Sequence, residues 1–382
     1  MHCRIKEYFD IIFFGYAITF QQLGFVTENF PVFLFLFIIY KFVDYKLKVK
    51  IMDFLVFHVF TIILLIVVLS NPVHWKLLFI PSLLIISCYF AIILAKSKSY
   101  KFFHYGLLIF IINQYIILFF EGILNYKIIG FSRVSQSIFN FSGSFFEPSY
   151  IALFCITIKC LKIILDNFKC KDIKVHLMLD IIILISGSFW GFLLLPFAYF
   201  VFFINNKKYI LLLAIPLFLI LLNLPAFDRF HRIFSQVSFI GIFQAEQSGL
   251  MRFAPLINAI ILFYENFGMT VTTSNESLKL FITSNVSNVD PVVSRLIDSS
   301  NYIIPSIATA LLLTGLYTTI PFFIMFFAIG FKPNIRLYSY GFLLIIIFQF
   351  LFQSFFTSPF LFCLWYLLSK KTNEKKSFFC KH

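Results

Sequence analysis

The chain has 382 residues, of which 60% are hydrophobic and 13% charged; its mean hydropathy is +0.93 and its formal net charge is +14. A soluble fold needs more polar cover than this composition supplies, so we expect the apolar surface to face lipid. In a soluble protein such a positive charge would indicate a nucleic-acid partner. Here the basic residues fall in clusters between apolar runs, so we expect no nucleic acid.

Apolar runs follow one another along the whole chain. A membrane-spanning helix needs about 20 apolar residues, and the sequence predicts an all-α bundle of about twelve such helices. The stretches 175–204 and 337–369 are each predicted to be a tight hairpin of two short helices, broken at 186–191 and at 357–359. The predicted helices are 8–26, 30–43, 51–70, 75–95, 102–124, 147–165, 175–187, 189–204, 209–225, 303–330, 337–356 and 359–369.

Basic residues set the predicted orientation. Lysines cluster after every second predicted helix, and the positive-inside rule then places these clusters and both termini in the cytoplasm. The chain divides into a transmembrane bundle over 1–225, a large periplasmic loop over 226–302, and C-terminal helices with a basic cytoplasmic tail over 303–382. No small-residue cleavage pattern follows Arg4 and Lys6, so we expect an uncleaved first helix rather than a signal peptide.

Several chemistries are excluded by missing patterns. The seven cysteines form no CxxC pair and none lies in 226–302, so we expect neither a disulfide framework nor a metal site. The sequence has no Walker loop, GxGxxG, HExxH or nucleophile elbow, and no cytoplasmic segment large enough to bind a nucleotide. An ATP-driven pump and a sugar-nucleotide enzyme with a soluble domain are therefore both disfavoured.

Arginine and lysine are distributed differently. Most lysines are predicted inside, whereas five of the seven arginines are predicted outside. A guanidinium group donates two parallel hydrogen bonds and stays charged, so this distribution indicates an anionic ligand at the outer face. The alternative is that these arginines pair with nearby carboxylates at Asp228, Glu246, Asp290 and Asp298. The outer arginines are Arg133, Arg229, Arg232, Arg252 and Arg295.

Two outer segments carry further candidate groups. Ser144 and Glu147 have the spacing of a capping box before Pro148, so Glu147 is either a helix cap or a carboxylate held at the outer edge of the membrane. His231, between Arg229 and Arg232, is either part of an anion or proton-transfer site or an interfacial anchor.

The rest of the outer loop is predicted to contain one helix. Residues 249–264 are apolar but too short to span, which suits an interfacial helix with Arg252 in its first turn and Gly268 at the following turn. Residues 270–301 are rich in Ser, Thr and Asn and are predicted to be an exposed loop.

Glu121 and Asp180 stand in apolar runs, where carboxylates are often functional, but both lie near predicted helix ends and are expected to reach the interface.

These residues resemble the O-antigen and capsule repeat-unit polymerases of the Wzy type, which are related to the O-antigen ligases. The resemblance covers about a third of the chain, by the order of its motifs. Arg133 precedes a Gly-Ser-Phe-Phe-Glu-Pro-Ser-Tyr segment at 143–150, and Ser-Gly-Ser-x-x-Gly follows at 186–191. Ser-Gly-Leu-Met-Arg at 248–252 then leads through an apolar helix to Glu-Asn-Phe-Gly at 265–268, and Asn-Tyr at 301–302 precedes a helix with Gly315.

The resemblance implies a GT-C-like polytopic fold and a metal-independent glycosyltransferase without a cofactor. Donor and acceptor are oligosaccharide repeat units on undecaprenyl pyrophosphate, joined at the outer face of the inner membrane, and a chain-length regulator is a further candidate partner. Arg252 and Arg133 are expected to hold the pyrophosphate, with Arg229, Arg232 and Arg295 as further candidates. Glu147 is expected to orient or deprotonate the acceptor hydroxyl, with His231 as the second candidate base.

Two features of the sequence depart from the family pattern, and two other functions are alternatives to this hypothesis. The turn at 186–191 lacks the arginine that many relatives carry after the serine, and Ser299, Ser300 and Asn301 stand where a ligase is expected to keep a histidine. The second departure disfavours a ligase, which stays an alternative. The other rival is a lipid-linked oligosaccharide flippase, whose charges would line a central cavity instead of an outer loop.

Overall fold

The computed structural model describes residues 2–20, 32–45, 99–124, 143–145, 148–166, 172–205, 247–269, 275–285, 306–330, 339–352 and 360–368, with Phe141 and parts of 58–66 and 87–94. Regular structure within these ranges is helical, with no strand among them, which confirms the all-α prediction. The predicted helix 209–225 and most of 51–70 and 75–95 lie outside the described residues.

Eleven helices are labelled here in chain order. The last described segment, 360–368, is also helical. The labelled helices are α1 (His2–Thr19), α2 (Val32–Tyr45), α3 (Ser99–Ile117, continued by a π-helical turn Leu118–Ile123), α4 (Pro148–Leu165), α5 (Ile173–Ile185), α6 (Phe189–Asn205), α7 (Gln247–Glu265), α8 (Asn275–Asn285), α9 (Ile307–Thr314), α10 (Leu316–Gly330) and α11 (Ser339–Phe352).

Two described helices are long and apolar enough to cross a membrane, by length and composition. They are Tyr100–Glu121, with 22 residues, and Pro148–Leu165, with 18. Shorter apolar helical stretches occupy Val32–Val43, Trp190–Tyr199, Phe253–Glu265 and Gly341–Phe352. The count of about twelve spanning helices therefore stays a prediction.

Helices α1 and α3 run parallel and in close contact. The Glu7 carboxylate pairs with Lys101 Nζ at 2.9 Å near one end, and Asn113 Nδ2 donates to Thr19 Oγ1 at 3.2 Å near the other. Both contacts join residues 94 apart in sequence, as does the contact of Gly15 with Ile109. This constant offset requires a parallel pair with one register, and Gly15 permits the close approach because it lacks a Cβ.

Helix α4 is the centre of the described bundle. Every residue from Ile151 to Ile164 is buried, including the polar ones. The predicted hairpin in 175–204 is present as α5 and α6, which pack along α4 and turn at Ser186–Ser188, where Gly187 adopts a φ of 61°. Gly191 lies directly against Ala152 of α4, so the break in 175–204 is a close-packed turn.

The predicted helix 303–330 is in fact two helices. Ser306 caps α9 by accepting from the Thr309 amide at 3.0 Å, and Gly315 then ends it with a φ of 84°. Helix α10 begins directly after that break. Gly315 interrupts the helix because a left-handed residue cannot continue it, a constraint that an apolar run does not reveal.

The outer-loop prediction also needs correction. The predicted interfacial helix exists as α7, but it begins at Gln247, and α8 occupies part of the predicted loop 270–301. Leu278 and Ile282 of α8 are buried, and Ser277 Oγ accepts from Asn258 Nδ2 of α7 at 3.4 Å. Two apolar side chains spaced one turn apart hold a polar helix on its neighbour, which composition alone hides.

In the second predicted hairpin, α11 and 360–368 are helical, and its break at 357–359 lies outside the described residues.

Candidate functional site

Most of the predicted site residues lie outside the described part of the chain. This applies to six of them: Arg133, Glu147, Arg229, His231, Arg232 and Arg295. The backbone of Arg252 is described, and it is the sixth residue of α7. The prediction that Arg252 lies in the first turn of its helix is therefore wrong, because α7 starts two residues earlier than the apolar run.

The segment before α4 is held by Gln114, a buried residue of α3. Gln114 Nε2 donates to Ser144 Oγ at 2.7 Å, and the Ser144 amide donates back to Gln114 Oε1 at 3.1 Å. Gly143 adopts a φ of 57°, and a Cβ there would collide with Gln114 Oε1. Helix α4 starts at Pro148, so Ser144 is too far upstream to be its cap, and the predicted capping box is wrong. Its hydroxyl accepts from Gln114 instead.

The same segment touches the turn between α5 and α6. The Phe141 amide donates to the carbonyl of Ile185, the last residue of α5, at 3.3 Å. Within the turn, Ser186 Oγ donates to the Ile183 carbonyl at 2.6 Å. We call the region formed by Gly143–Phe145, the turn Ser186–Ser188 and the first turns of α4 and α6 the glycine end of the bundle.

Helix α7 meets the glycine end through aromatic rings. Phe253, which follows Arg252, has its ring centroid 5.9 Å from that of Trp190 in the first turn of α6. Phe253 also lies 4.3 Å from Phe352, and Trp190 lies 4.7 Å from Phe348, both of α11. The residue after Arg252 thus contacts Trp190, which follows the Ser-Gly-Ser turn by two residues.

The far end of α7 is fixed to the break between α9 and α10. Phe267 and Gly268 both adopt left-handed backbone angles, with φ of 51° and 74°. The Gly268 amide donates to Phe263 O at 2.8 Å, which confirms the predicted turn, and the Leu316 amide donates to Gly268 O at 2.8 Å. Regions of motifs that are far apart in sequence therefore contact one another in pairs: Trp190 contacts Phe253, and Gly268 binds Leu316.

At the opposite end of α4 lies a cluster of charged residues, which we call the ionic end. Lys162 Nζ donates to Asp166 at 2.6 Å, to Asp172 at 2.9 Å and to Tyr100 Oη at 3.2 Å. His104 Nδ1 lies 3.5 Å from the Asp172 carboxylate. The hydrogen bond from Lys162 lowers the pKa of Asp172, because it stabilises the carboxylate form.

A second ionic group lies deeper between α4, α5 and α6. Lys159 Nζ donates to the Asp180 carboxylate, and Tyr199 Oη donates to the same carboxylate. Lys159 Nζ also lies 3.6 Å from the centroid of the Tyr199 ring, within cation–π range. Lys159 is fully buried, and Asp180 is the eighth residue of the 13-residue helix α5.

The prediction that Asp180 reaches the membrane interface is wrong. Its side chain is 4% exposed and is paired inside the bundle. The signal that sequence reasoning missed is the spacing of Asp172, His176 and Asp180, which places all three on one face of α5. Glu121 lies in the π-helical turn after α3 and is partly exposed.

No protein-family model, curated protein or solved structure matches this chain.

Proposed function

We propose that this chain is a polytopic membrane glycosyltransferase that polymerises oligosaccharide repeat units linked to undecaprenyl pyrophosphate, at the outer face of a bacterial inner membrane. It would use a GT-C-like bundle of about twelve spanning helices, with both termini in the cytoplasm and 226–302 in the periplasm. The product would be an O-antigen or a capsular polysaccharide.

The observation that carries the proposal is the meeting of distant motifs at the glycine end. Phe141, two residues before Gly143, donates to Ile185 at the end of α5, and Trp190, which follows the turn Ser186–Ser188, contacts Phe253 of the helix that bears Arg252. Separate stretches of sequence that resemble one family in order are more informative when they also meet in space. A catalytic site needs such convergence, since its groups must act on one substrate.

The parallel arrangement of α1 and α3 supports the proposed topology. Two parallel spanning helices must be separated by an odd number of crossings, and the sequence predicts three between them, at 30–43, 51–70 and 75–95. The ionic end then faces the cytoplasm, and the glycine end faces the periplasm. A lipid-linked substrate would meet the glycine end at the outer leaflet.

The proposed chemistry is a single displacement. The acceptor hydroxyl oxygen forms a bond to the anomeric carbon of the donor, and the bond from that carbon to the pyrophosphate oxygen breaks. Glu147, or alternatively His231, takes the hydroxyl proton. The leaving pyrophosphate gains charge, and Arg252 and Arg133 would stabilise it through hydrogen bonds worth about 1.5–3 kcal/mol each to a charged group. Arg229, Arg232 and Arg295 are the further candidates.

The test is complementation of a strain from which the gene is deleted, with the length distribution of surface polysaccharide as the measurement. The native chain should restore a ladder of polymer lengths, and Arg252→Ala and Glu147→Gln should leave single repeat units. Arg252→Lys is the matched control: it keeps the charge but loses the planar fork, so it should restore the ladder only in part. Full ladders from both Arg252→Ala and Glu147→Gln, at native protein levels, would remove these residues from the mechanism.

The deeper ionic group favours one second candidate, a flippase that carries lipid-linked oligosaccharide across the membrane. Charged residues inside a helical bundle often mark a transport path, and Lys159, Asp180 and Tyr199 form such a group. The deletion phenotype separates the two functions. Loss of a polymerase leaves the lipid A core capped with one repeat unit, whereas loss of a flippase leaves it with none.

A further inference from the structure

Gln114 is a buried polar residue that the proposed mechanism does not yet use. It lies on α3 with no exposed surface, in the part of the helix that faces the glycine end. Its amide nitrogen and its amide oxygen both bind Ser144, one through the hydroxyl and one through the backbone amide. Placing an amide in an apolar interior is unfavourable unless both of its polar atoms are satisfied, so this side chain is tied to a single partner.

The backbone around Ser144 is shaped to receive Gln114. Gly143 takes a left-handed φ of 57°, and no other residue type fits there, because a Cβ would overlap Gln114 Oε1 and would approach Ile151 Cδ1 to 2.8 Å. On its other side the segment is held by the bond from the Phe141 amide to Ile185 O. The backbone at Ser144 is therefore held from α3, and the backbone at Phe141 is held from the end of α5.

Glu147 follows Ser144 by three residues and immediately precedes Pro148, the first residue of α4. A carboxylate that accepts a proton from a substrate hydroxyl must be held to within a fraction of an ångström. We propose that Gln114 is a positioning residue for the reaction, which acts through Ser144 on the segment 143–145 that leads to Glu147 in sequence. This role rests on the proposed function, because it needs Glu147 to act on the acceptor.

The chain offers a matched control in Gln349 of α11. Gln349 is also buried and also bonds to α4, since Thr157 Oγ1 donates to Gln349 Oε1 at 2.9 Å and Gln349 Nε2 donates to Leu153 O at 3.4 Å. It contacts the body of α4 and does not touch the 143–145 segment. Gln114→Leu and Gln349→Leu thus remove the same chemical group from the same bundle, but only the first frees the segment before α4.

The experiment measures kcat and KM for polymer formation by purified full-length protein, with lipid-linked repeat unit extracted from the deletion strain as substrate. A misplacement of about 1 Å can lower a rate roughly 100-fold, so Gln114→Leu should lower kcat by about 10- to 100-fold with little change in KM. Gln349→Leu should keep kcat within about twofold of the native value. Melting temperature and elution volume report folding for each variant.

A double-mutant cycle shows whether Gln114 acts through Ser144. Ser144→Ala alone should lower kcat less than Gln114→Leu does, and the double variant should be no slower than Gln114→Leu. If Gln114→Leu does not fold, the milder Ser144→Ala decides, and a folded Ser144→Ala with native kcat overturns the role. Equal losses of kcat in Gln114→Leu and Gln349→Leu also overturn it. A native chain that makes no polymer overturns the proposed function itself, and this role with it.

Discussion

Lys159 and Asp180 form an ion pair between α4 and α5 in which the lysine side chain has no exposed surface and the aspartate side chain 4%. Lys159 stands six residues before the end of α4, about 9 Å along the helix axis at a rise of about 1.5 Å per residue. The pair is thus internal to the bundle. Removing two charges from water is unfavourable, and their mutual attraction, the Tyr199 hydrogen bond and the contact of Lys159 with the Tyr199 ring offset it.

Breaking this pair should be strongly destabilising. Lys159→Met leaves Asp180 buried without its counter-charge, and it should lower the free energy of unfolding by about 3–5 kcal/mol. Replacing both partners, as in Lys159→Met with Asp180→Leu, should recover most of the loss. Denaturant titration in detergent micelles measures both. The control is Lys101→Ala, which removes an exposed partner of Glu7 and should change nothing measurable. A Lys159→Met protein as stable as native would show that the pair is not formed.

Tyr199→Phe tests the third member of the group separately. The change removes only the hydroxyl that donates to Asp180, and hydrogen bonds to charged groups contribute about 1.5–3 kcal/mol. We expect a loss of stability in that range by the same titration. Tyr8→Phe, at a position that is 64% exposed, is the matched control and should be neutral. Equal effects of the two substitutions would contradict the contact.

Gly268→Ala should loosen the junction of α7 with α10. The residue has a φ of 74°, and a Cβ would lie 2.6 Å from Leu316 Cγ. A left-handed non-glycine residue costs about 1–3 kcal/mol, and the collision adds to this. Adding Leu316→Ala makes room but leaves the backbone strain, so it should restore part of the melting temperature. No recovery at all would mean that the collision contributes nothing.

Gly15→Ala tests the contact of α1 with α3. Alanine favours a helix over glycine by about 1 kcal/mol, but here its Cβ would lie 2.7 Å from Ile109 Cβ. Overfilling a packed interface typically costs about 1–3 kcal/mol, so the net effect should be destabilising. Ile109→Gly in the same chain removes the Cβ and Cγ2 that the new methyl group would meet, so it should reduce the penalty of Gly15→Ala. A stabilising Gly15→Ala substitution would show that the two helices are not in contact there.

Acid should weaken the ionic end through Asp172. Its pKa is lowered below the ordinary value of 3.8 by the hydrogen bond from Lys162. A carboxylate with a lowered folded-state pKa contributes stability above its unfolded pKa and loses it as pH falls through the folded value. The stability difference between native protein and Asp172→Asn should therefore be constant near pH 6 and shrink below about pH 4. The contribution should stay under about 1 kcal/mol, since the side chain is 37% exposed. A difference that grows on acidification would contradict this sign.

Local patterns were enough to predict several elements. The hairpin at 175–204 was visible because Ser, Gly and Ser at 186–188 interrupt an apolar run, and the helix that carries Arg252 was visible as an apolar run too short to span. The break at Gly315 and the helix α8 could not be predicted from the sequence, because both depend on contacts with other helices. Gly268 O binds the first amide of α10, and α8 packs on α7 with its Leu278 and Ile282 side chains buried.

The amino-acid sequence is enough to establish that this chain is helical and apolar, and where its charged residues and motifs stand. Those properties follow from composition and spacing, which each segment carries alone. Which segments contact one another depends on the three-dimensional fold. The hydrogen bonds between Gln114 and Ser144 join residues 30 apart in sequence. The Lys159–Asp180 ion pair joins two helices through side chains that are isolated charges in the sequence. A buried polar group must find its partner wherever the fold brings one, so partner choice is a property of the fold and not of the local sequence.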